Sequence, residues 1–287
     1  MSAAGGVTAA PELTADLERR FGGLRRLYGD AGYTRLRQAR VAVVGLGGVG
    51  SWAVEALARS GVACLVLIDL DQVAESNINR QVQALGSTLG QAKTEALRLR
   101  ILDIHPGCEV IAVDDFVQPD NWPALLPCAV DVLIDACDQV RAKTTLAAWG
   151  VVAGVPVVCV GAAGGKTRAE RVEVAALVEV THDPLLASVR QRLRQAARQT
   201  DATAPTRAGA SAMALRCVFS RESVAGPVAQ SEAGAPLACH GYGSSVAVTA
   251  TFGMVAAGEA INQLLGAARG RSEENIDLYC EAVRTGR

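Results

Sequence analysis

"VAVVGLGGVGSW", Val41–Trp52, decides the fold. Val41 to Val44 make an apolar run short enough to be a buried strand, and from Val49 the apolar side chains fall at helical spacing. Between the two, Gly45, Gly47 and Gly50 stand at G-x-G-x-x-G spacing, with Gly48 as an extra glycine. A turn without side chains lets backbone N–H groups and a helix N-terminus approach phosphate oxygens. Redox enzymes and ATP-using enzymes share this turn, so the nucleotide must be identified from residues further along.

On both sides of this stretch the pattern alternates. Leu17–Tyr28 and Tyr33–Gln38 read as helices with arginine-rich faces. "RVAVVG", "CLVLIDLD", "CEVIAVD", "DVLIDA" and "PVVCVGA" read as strands, and Val49–Ser60, Lys93–Ile104 and Ala142–Ala153 as the helices between them. Past Gly165, "RVEVAAL" reads as an antiparallel strand, Pro184–Gln199 as a helix, and "MALRCVFS" and "NIDLYCE" as strands around a long helix, Ser245–Leu265. The expected class is α/β: a doubly wound, mostly parallel Rossmann-like sheet with antiparallel C-terminal strands. Residues 1–16 read as a flexible tail and 17–287 as a single domain. Residues 200–212, rich in small and turn-forming types, read as a mobile crossover loop.

Composition narrows the function classes. With 50% hydrophobic and 20% charged residues, the chain is core-forming rather than disordered. A net charge of −1 and 4% aromatics leave nucleic-acid contact to a local basic patch, and DNA is not an expected partner. None of the eight cysteines forms a C-x-x-C pair, so a zinc ribbon has no support. Most lie in apolar runs, as reduced thiols of a cytoplasmic protein do. The N-terminus lacks the charged and apolar regions of a signal peptide. Ser245–Gly258 is uncharged but stops at Glu259, at the length of a buried or interface helix rather than a membrane span.

Asp69 ends the second strand 24 residues after Gly45, where a carboxylate can take ribose hydroxyls. "DLDQVAESNINRQ", "LGQAKTEALRLRI" and "DVLIDACDQVRAK" then follow in order. This series of GxGGxG, D-x-D, N-x-x-R-Q, G-x-x-K and D-x-x-D resembles the ThiF/MoeB/HesA superfamily of ubiquitin-activating-enzyme-like adenylyltransferases, over about Arg20 to Leu265. The resemblance implies ATP and Mg2+ as cofactors. Gly45, Gly47, Gly48 and Gly50 would form the phosphate turn, Asp69 with Asp71 the ribose end, and Asn77, Arg80 and Lys93 the triphosphate contacts. Asp138 would hold magnesium, and Gln139 after it departs from the asparagine often found there. It also implies a homodimer in which an N-terminal arginine acts across subunits. Arg20, Arg25 and Arg26 are the candidates, with Arg26 in "RLYG" preferred. Each charge taken singly reads as a solvated surface group; only their order makes the functional reading.

Within the superfamily, "RFGGLRRLYG", "DDFVQPDN", "GAAGGK", "CVFSRE" and "ACHGYGSSVAVTATFGMVAAGEAI" are similar to the members that act on tRNA. The implied substrate is threonylcarbamoyladenosine at position 37 of tRNA, cyclised with loss of water through an acyl-adenylate. The alternative is adenylation of the C-terminal glycine of a ubiquitin-like sulfur carrier, whose activating enzymes commonly carry the C-x-x-C pairs missing here. Two further readings are a non-catalytic module partnering a cysteine desulfurase or sulfur acceptor, and a nicotinamide dehydrogenase. Cys239, in a glycine-rich turn, is a secondary candidate nucleophile, whereas Cys217 reads as a packing thiol. Asp114 and Asp115 read as capping a strand end near the nucleotide. The acid-free run with Arg190, Arg192, Arg194 and Arg198 is the best patch for tRNA phosphates, and Arg25, Arg26, Arg35 and Arg37 make a second. The apolar Ser245–Leu265 helix is expected to need cover from a second subunit.

Overall fold

Seven runs of mostly apolar residues form strands in the computed structural model, which describes residues 16–200, 212–224 and 242–266. They are β1 (Arg40–Val44), β2 (Cys64–Ile68), β3 (Glu109–Val113), β4 (Val132–Asp135), β5 (Val157–Val160), β6 (Val172–Ala176) and β7 (Arg216–Ser220). The helices are α1 (Leu17–Leu36), α2 (Gly50–Arg59), α3 (Lys93–Ile104), α4 (Val140–Ala153), α5 (Pro184–Thr200) and α6 (Val246–Gly266). The two N-terminal helical segments merge into α1, with a kink at Gly29 where the backbone leaves helical geometry. "NIDLYCE", Cys239 and the crossover loop lie outside the described residues, apart from the loop's two ends.

Strand order is β3-β2-β1-β4-β5-β7-β6. All neighbours pair in parallel except β6 and β7, which are antiparallel with Val174 opposite Val218. The antiparallel character expected at the C-terminal end is present, and among the described residues it lies in the β6–β7 pair: β7 arrives by a crossover and runs parallel to β5.

Period-two burial explains the two layers. Val41 and Val43 of β1 join one cluster with Leu57, Leu97, Phe252 and Ile261, under α2, α3 and α6. Ala42 and Val44 join the other with Leu146, Val189 and Phe219, under α4 and α5. Strands buried on both faces are what covered parallel sheets require. Helix α6 is covered within its own protomer: Val248, Phe252, Ala256, Ala260 and Leu264 are buried against the sheet and α2. That corrects the expectation that this helix needs a second subunit to cover it. No helix among the described residues is long and apolar enough to cross a membrane.

The strand order reverses between β1 and β4, so the crevice for a ligand opens beyond their C-terminal ends. Helices α2 and α3, which carry the loops on one side of that crevice, are joined by the buried Glu55. Its carboxylate accepts from Arg59 at 2.8 Å and from Arg100 at 2.6 and 3.0 Å. Burial alone would raise the Glu55 pKa, but the two guanidiniums outweigh it and hold the group below the ordinary 4.5. A carboxyl depressed on folding contributes stability that is full above the unfolded pKa and is lost as pH falls through the folded one. Urea midpoints of the wild type should therefore fall between pH 4.5 and the depressed folded pKa. In Glu55→Gln that part of the acid dependence should be gone, and an unchanged pH slope would refute the assignment.

Candidate active site

The glycine turn is shaped by close approach. Gly45 has φ +84°, and a Cβ there would come within 2.8–2.9 Å of the Ala136 and Cys137 backbone at the end of β4. A side chain on Gly50 would run into the Gly45 carbonyl. The two loops therefore share one floor. Gly45 N–H donates to Ile68 O at 2.9 Å, and Ala136 N–H to Val44 O at 2.8 Å, carrying the ladder past the strand ends. Gly47 and Gly48 face an open cavity of about 500 Å³.

Asp69 sits where β2 runs out, 7% exposed. Its carboxylate accepts the Leu46 N–H at 2.6 Å and the Asp71 N–H at 2.9 Å, tying the β2 end to the glycine turn. Burial raises its pKa, while Lys93 pulls the other way. Lys93 starts α3, 6% exposed, with Nζ 2.7 Å from Asp71 Oδ2 and 3.8 Å from Asp69 Oδ1. Its backbone N–H also donates to Asp71 O at 3.0 Å. Asp71 is thus the group that aims Lys93 as well as part of the wall.

The loop after β2 supplies the rest. Asn77 is buried, and its Oδ1 accepts the Ala74 N–H at 3.0 Å, leaving the amide nitrogen for the cavity. Arg80 is held from behind: its Nη1 donates to Ser76 O at 2.7 Å and Asn79 Oδ1 at 2.9 Å, and Trp52 Nε1 donates to its carbonyl at 3.0 Å. Asp138 is exposed on the loop after β4 and makes no hydrogen bond or ion pair among the described residues. Gly45, Gly47, Gly48, Asp69, Asp71, Asn77, Arg80, Lys93 and Asp138 all line this one cavity. Gly50 lies beneath it.

Other expectations resolve differently. Arg26, expected to act across subunits, is exposed on α1 away from the cavity of its own chain and makes no hydrogen bond or ion pair among the described residues. Arg20 donates to Asp103 O and Ile104 O, and Arg25 bridges Glu18 and Asp30. Arg190 is not a free phosphate contact, because its Nη1 caps the carbonyls of Leu177 and Val180 at 3.1 and 2.8 Å; Arg192, Arg194 and Arg198 are exposed. Asp115 lines the cavity, whereas Asp114 accepts the Thr94 hydroxyl. Cys217 is fully buried.

One arrangement escaped the sequence reading. Lys143 of α4, fully buried, places Nζ 3.0 Å from Asp135 Oδ1 and donates to Asp135 O at 3.2 Å. The same carboxylate accepts the Cys137 N–H at 3.3 Å and the thiols of Cys137 at 3.0 Å and Cys159 at 3.3 Å. Burial alone would lower the Lys143 pKa, and Asp135 instead holds it above its ordinary value. The loop bearing Asp138 stands on this pair. A lysine in the apolar run of α4, eight residues after an aspartate, was the available signal.

A lysine and an arginine line the same cavity as the glycine turn, where they can meet the phosphates of a nucleotide. The fold and site therefore define the adenylating class of doubly wound proteins. The chain belongs to the ThiF family, whose model matches residues 20–281. It is 40% identical over 251 residues to a tRNA threonylcarbamoyladenosine dehydratase of Haemophilus influenzae, covering 86% of this chain and 94% of that one. To the Escherichia coli enzyme of the same name it is 38% identical over 260 residues, covering 87% and 95%. The crystal structure of the E. coli dehydratase in complex with ATP superposes with a TM-score of 0.77 at 39% identity, covering 88% of this chain and 97% of that one.

Removing one partner of a buried ion pair leaves an uncompensated charge and costs about 3–5 kcal/mol. Lys143→Met should therefore lower the urea midpoint strongly, and adding Asp135→Asn should restore most of it. A double variant as unstable as the single one would show that Lys143 acts through its packing instead.

Proposed function

We propose that this chain uses ATP to dehydrate the threonylcarbamoyl group of a modified tRNA adenosine. Its relatives over nearly their whole length carry that name, and the E. coli one has been crystallised with ATP and with AMP. The observation that carries the reading is the cavity at the β1/β4 switch point, with a fixed glycine turn at one end and Lys93, Arg80 and Asp138 converging on it.

The chemistry follows from placement. Asp69 receives the ribose hydroxyls, and backbone N–H groups of residues 45–50 meet the phosphates. The threonyl carboxylate attacks the α-phosphorus, and the bond to pyrophosphate breaks. Lys93 and Arg80 offset the charge growing on the departing group. A nitrogen of the adjacent urea then attacks the activated carbonyl, loses its proton and expels AMP, so the substrate loses one water overall. Nucleophile and electrophile share one substituent, which makes the effective concentration high without an enzyme nucleophile.

The charged side chains lining the cavity, among the described residues, are four carboxylates (Asp69, Asp71, Asp115, Asp138) against two cations (Arg80, Lys93). A triphosphate entering this balance needs further positive charge, and two sources fit. The unpaired carboxylate of Asp138 suits Mg2+, which is commonly held by one or two carboxylates with substrate phosphates completing the shell. No cage of three or more ligating side chains exists among the described residues, in keeping with a metal that arrives with the nucleotide. Bound there, the metal would neutralise phosphate charge. The second source is Arg26 of another copy, with exposed Leu27 (69%) beside it to bury in a homodimer. The six described cysteines are free, as suits the reducing cytoplasm where tRNA and ATP are present.

Asp138→Asn should slow ATP–pyrophosphate exchange, driven by threonylcarbamoylated tRNA, by about two to three decades, the loss of one electrostatic contact at the transition state. Binding of that tRNA should stay nearly intact. Normal exchange by the variant would remove Asp138 from the chemistry, and exchange supported by a ubiquitin-like carrier protein rather than tRNA would replace the substrate.

A further inference from the structure

Gly161, Ala162, Ala163 and Gly164, on the loop after β5, line the nucleotide cavity beside Leu185 and Ser244. Among the described residues, every charged side chain of the cavity stands elsewhere, on the loops after β2, β3 and β4 or at the start of α3. What the loop after β5 offers a ligand is small side chains and backbone.

That backbone is held from both ends. Asp183, 3% exposed, accepts the Ala162 N–H through Oδ2 and the Leu186 N–H through Oδ1, both at 2.9 Å, and so ties the loop to the start of α5. A Cβ on Gly161 would strike the same carboxylate. At the far end Lys166, also 3% exposed, donates from Nζ to Ser220 O at 3.1 Å and Glu222 O at 2.8 Å, at the end of β7. Burial lowers the Lys166 pKa, while Asp183 and Glu222 pull the other way. The Glu222 carboxylate accepts the Thr167 N–H at 3.1 Å and the Arg168 N–H at 2.9 Å, and Gly165 N–H donates to Gly243 O at 3.0 Å.

Two donors between these anchors are left over. The N–H groups of Ala163 and Gly164 make no hydrogen bond among the described residues, although Ala163 is 6% exposed and Gly164 is buried. The Ala163 methyl belongs to the apolar cluster under α2, α3 and α6. Buried backbone N–H groups are nearly always paired. Two neighbouring ones at a cavity wall mark the place of an acceptor supplied by a ligand.

We propose that the loop after β5 is the subsite for the substrate carboxylate, with the Ala163 and Gly164 N–H groups binding the oxygen that does not attack. This rests on the tRNA reading given above. In-line transfer puts the attacking oxygen opposite the departing pyrophosphate. Arg80 and Lys93 draw the pyrophosphate to the β2 side of the glycine turn, and the loop after β5 lies on the other side, beyond β4. There the carboxylate meets two donors and no opposing charge of the cavity wall. In the first step one carboxylate oxygen bonds to the α-phosphorus as the bond to pyrophosphate breaks, while the loop holds the other. In the second, the held oxygen takes the negative charge when the urea nitrogen adds to its carbon. It returns that charge to the carbonyl as AMP leaves and the nitrogen gives its proton to solvent. Fixed backbone donors suit an oxygen whose charge changes during reaction, because they need no reorganisation.

The test replaces each N–H by an ester oxygen in the full chain, with lactate introduced for Ala163 or glycolate for Gly164, which leaves the side chains unchanged. Exchange between ATP and pyrophosphate, driven by a saturating threonylcarbamoylated anticodon stem-loop, should slow about a hundred- to a thousand-fold in each variant, the range for one lost oxyanion donor. ATP affinity, read by calorimetry, should match the wild type. The urea midpoint should match it too, since neither N–H bonds within the described fold. Full exchange in both variants, with an active wild type, would overturn the subsite and leave the substrate reading standing. ATP affinity falling in step with exchange would give the donors to ATP, and a lowered urea midpoint would give them to the fold; either result overturns the proposal. A wild type that neither exchanges with nor converts the modified stem-loop would overturn both readings.

Discussion

The backbone of Gly45 lies against that of Ala136 and Cys137, and the geometry of the site depends on this contact. Because no Cβ fits between them, the turn after β1 and the loop after β4 are one body. The turn carries the N–H groups for phosphate, and the loop carries Asp138. Beneath the loop, the carboxylate of Asp135 gathers the Cys137 N–H, two thiols and the Lys143 ammonium, so the floor is polar yet satisfied. Buried networks of this kind hold one geometry when every member is paired.

A second constraint fixes the opposite wall. Asp69 is tied to both loops it separates, through Leu46 N–H on one side and Asp71 N–H on the other. Asp71 in turn holds Lys93. The Lys93 ammonium is therefore held on two carboxylates at the wall of the cavity. At 6% exposure an unpaired ammonium would be costly, and the two carboxylates remove that cost.

The elements were legible because their periods are plain: two-residue alternation on either face of β1, helical spacing in α2 and α3. The glycine turn was legible for the same reason, since its spacing reports a backbone requirement. What sequence order cannot carry is pairing across the fold. Asp135 and Lys143 read as a motif residue and a stray charge until α4 packs on the sheet. Arg190 reads as one of four equal arginines until the loop after β6 presents two carbonyls to it. The α6 helix was misread because its apolar character was clear while the surface covering it was not. Arg20 and Arg25 likewise read as free groups until the carbonyls and carboxylates that hold them are in view.

The described thiols of this floor are poorly suited to act as nucleophiles. Cys137 is the one described cysteine that lines the nucleotide cavity, and burial together with the Asp135 carboxylate pushes its pKa well above the ordinary thiol value. Cys159 is pushed the same way by its hydrogen bond with Cys217 and by burial. A thiol held protonated is a poor acyl acceptor. What the described part of the cavity offers instead is a glycine turn with free backbone N–H groups, two cations and four carboxylates. For a substrate that carries its own nucleophile on the same substituent, such positioning is sufficient chemistry.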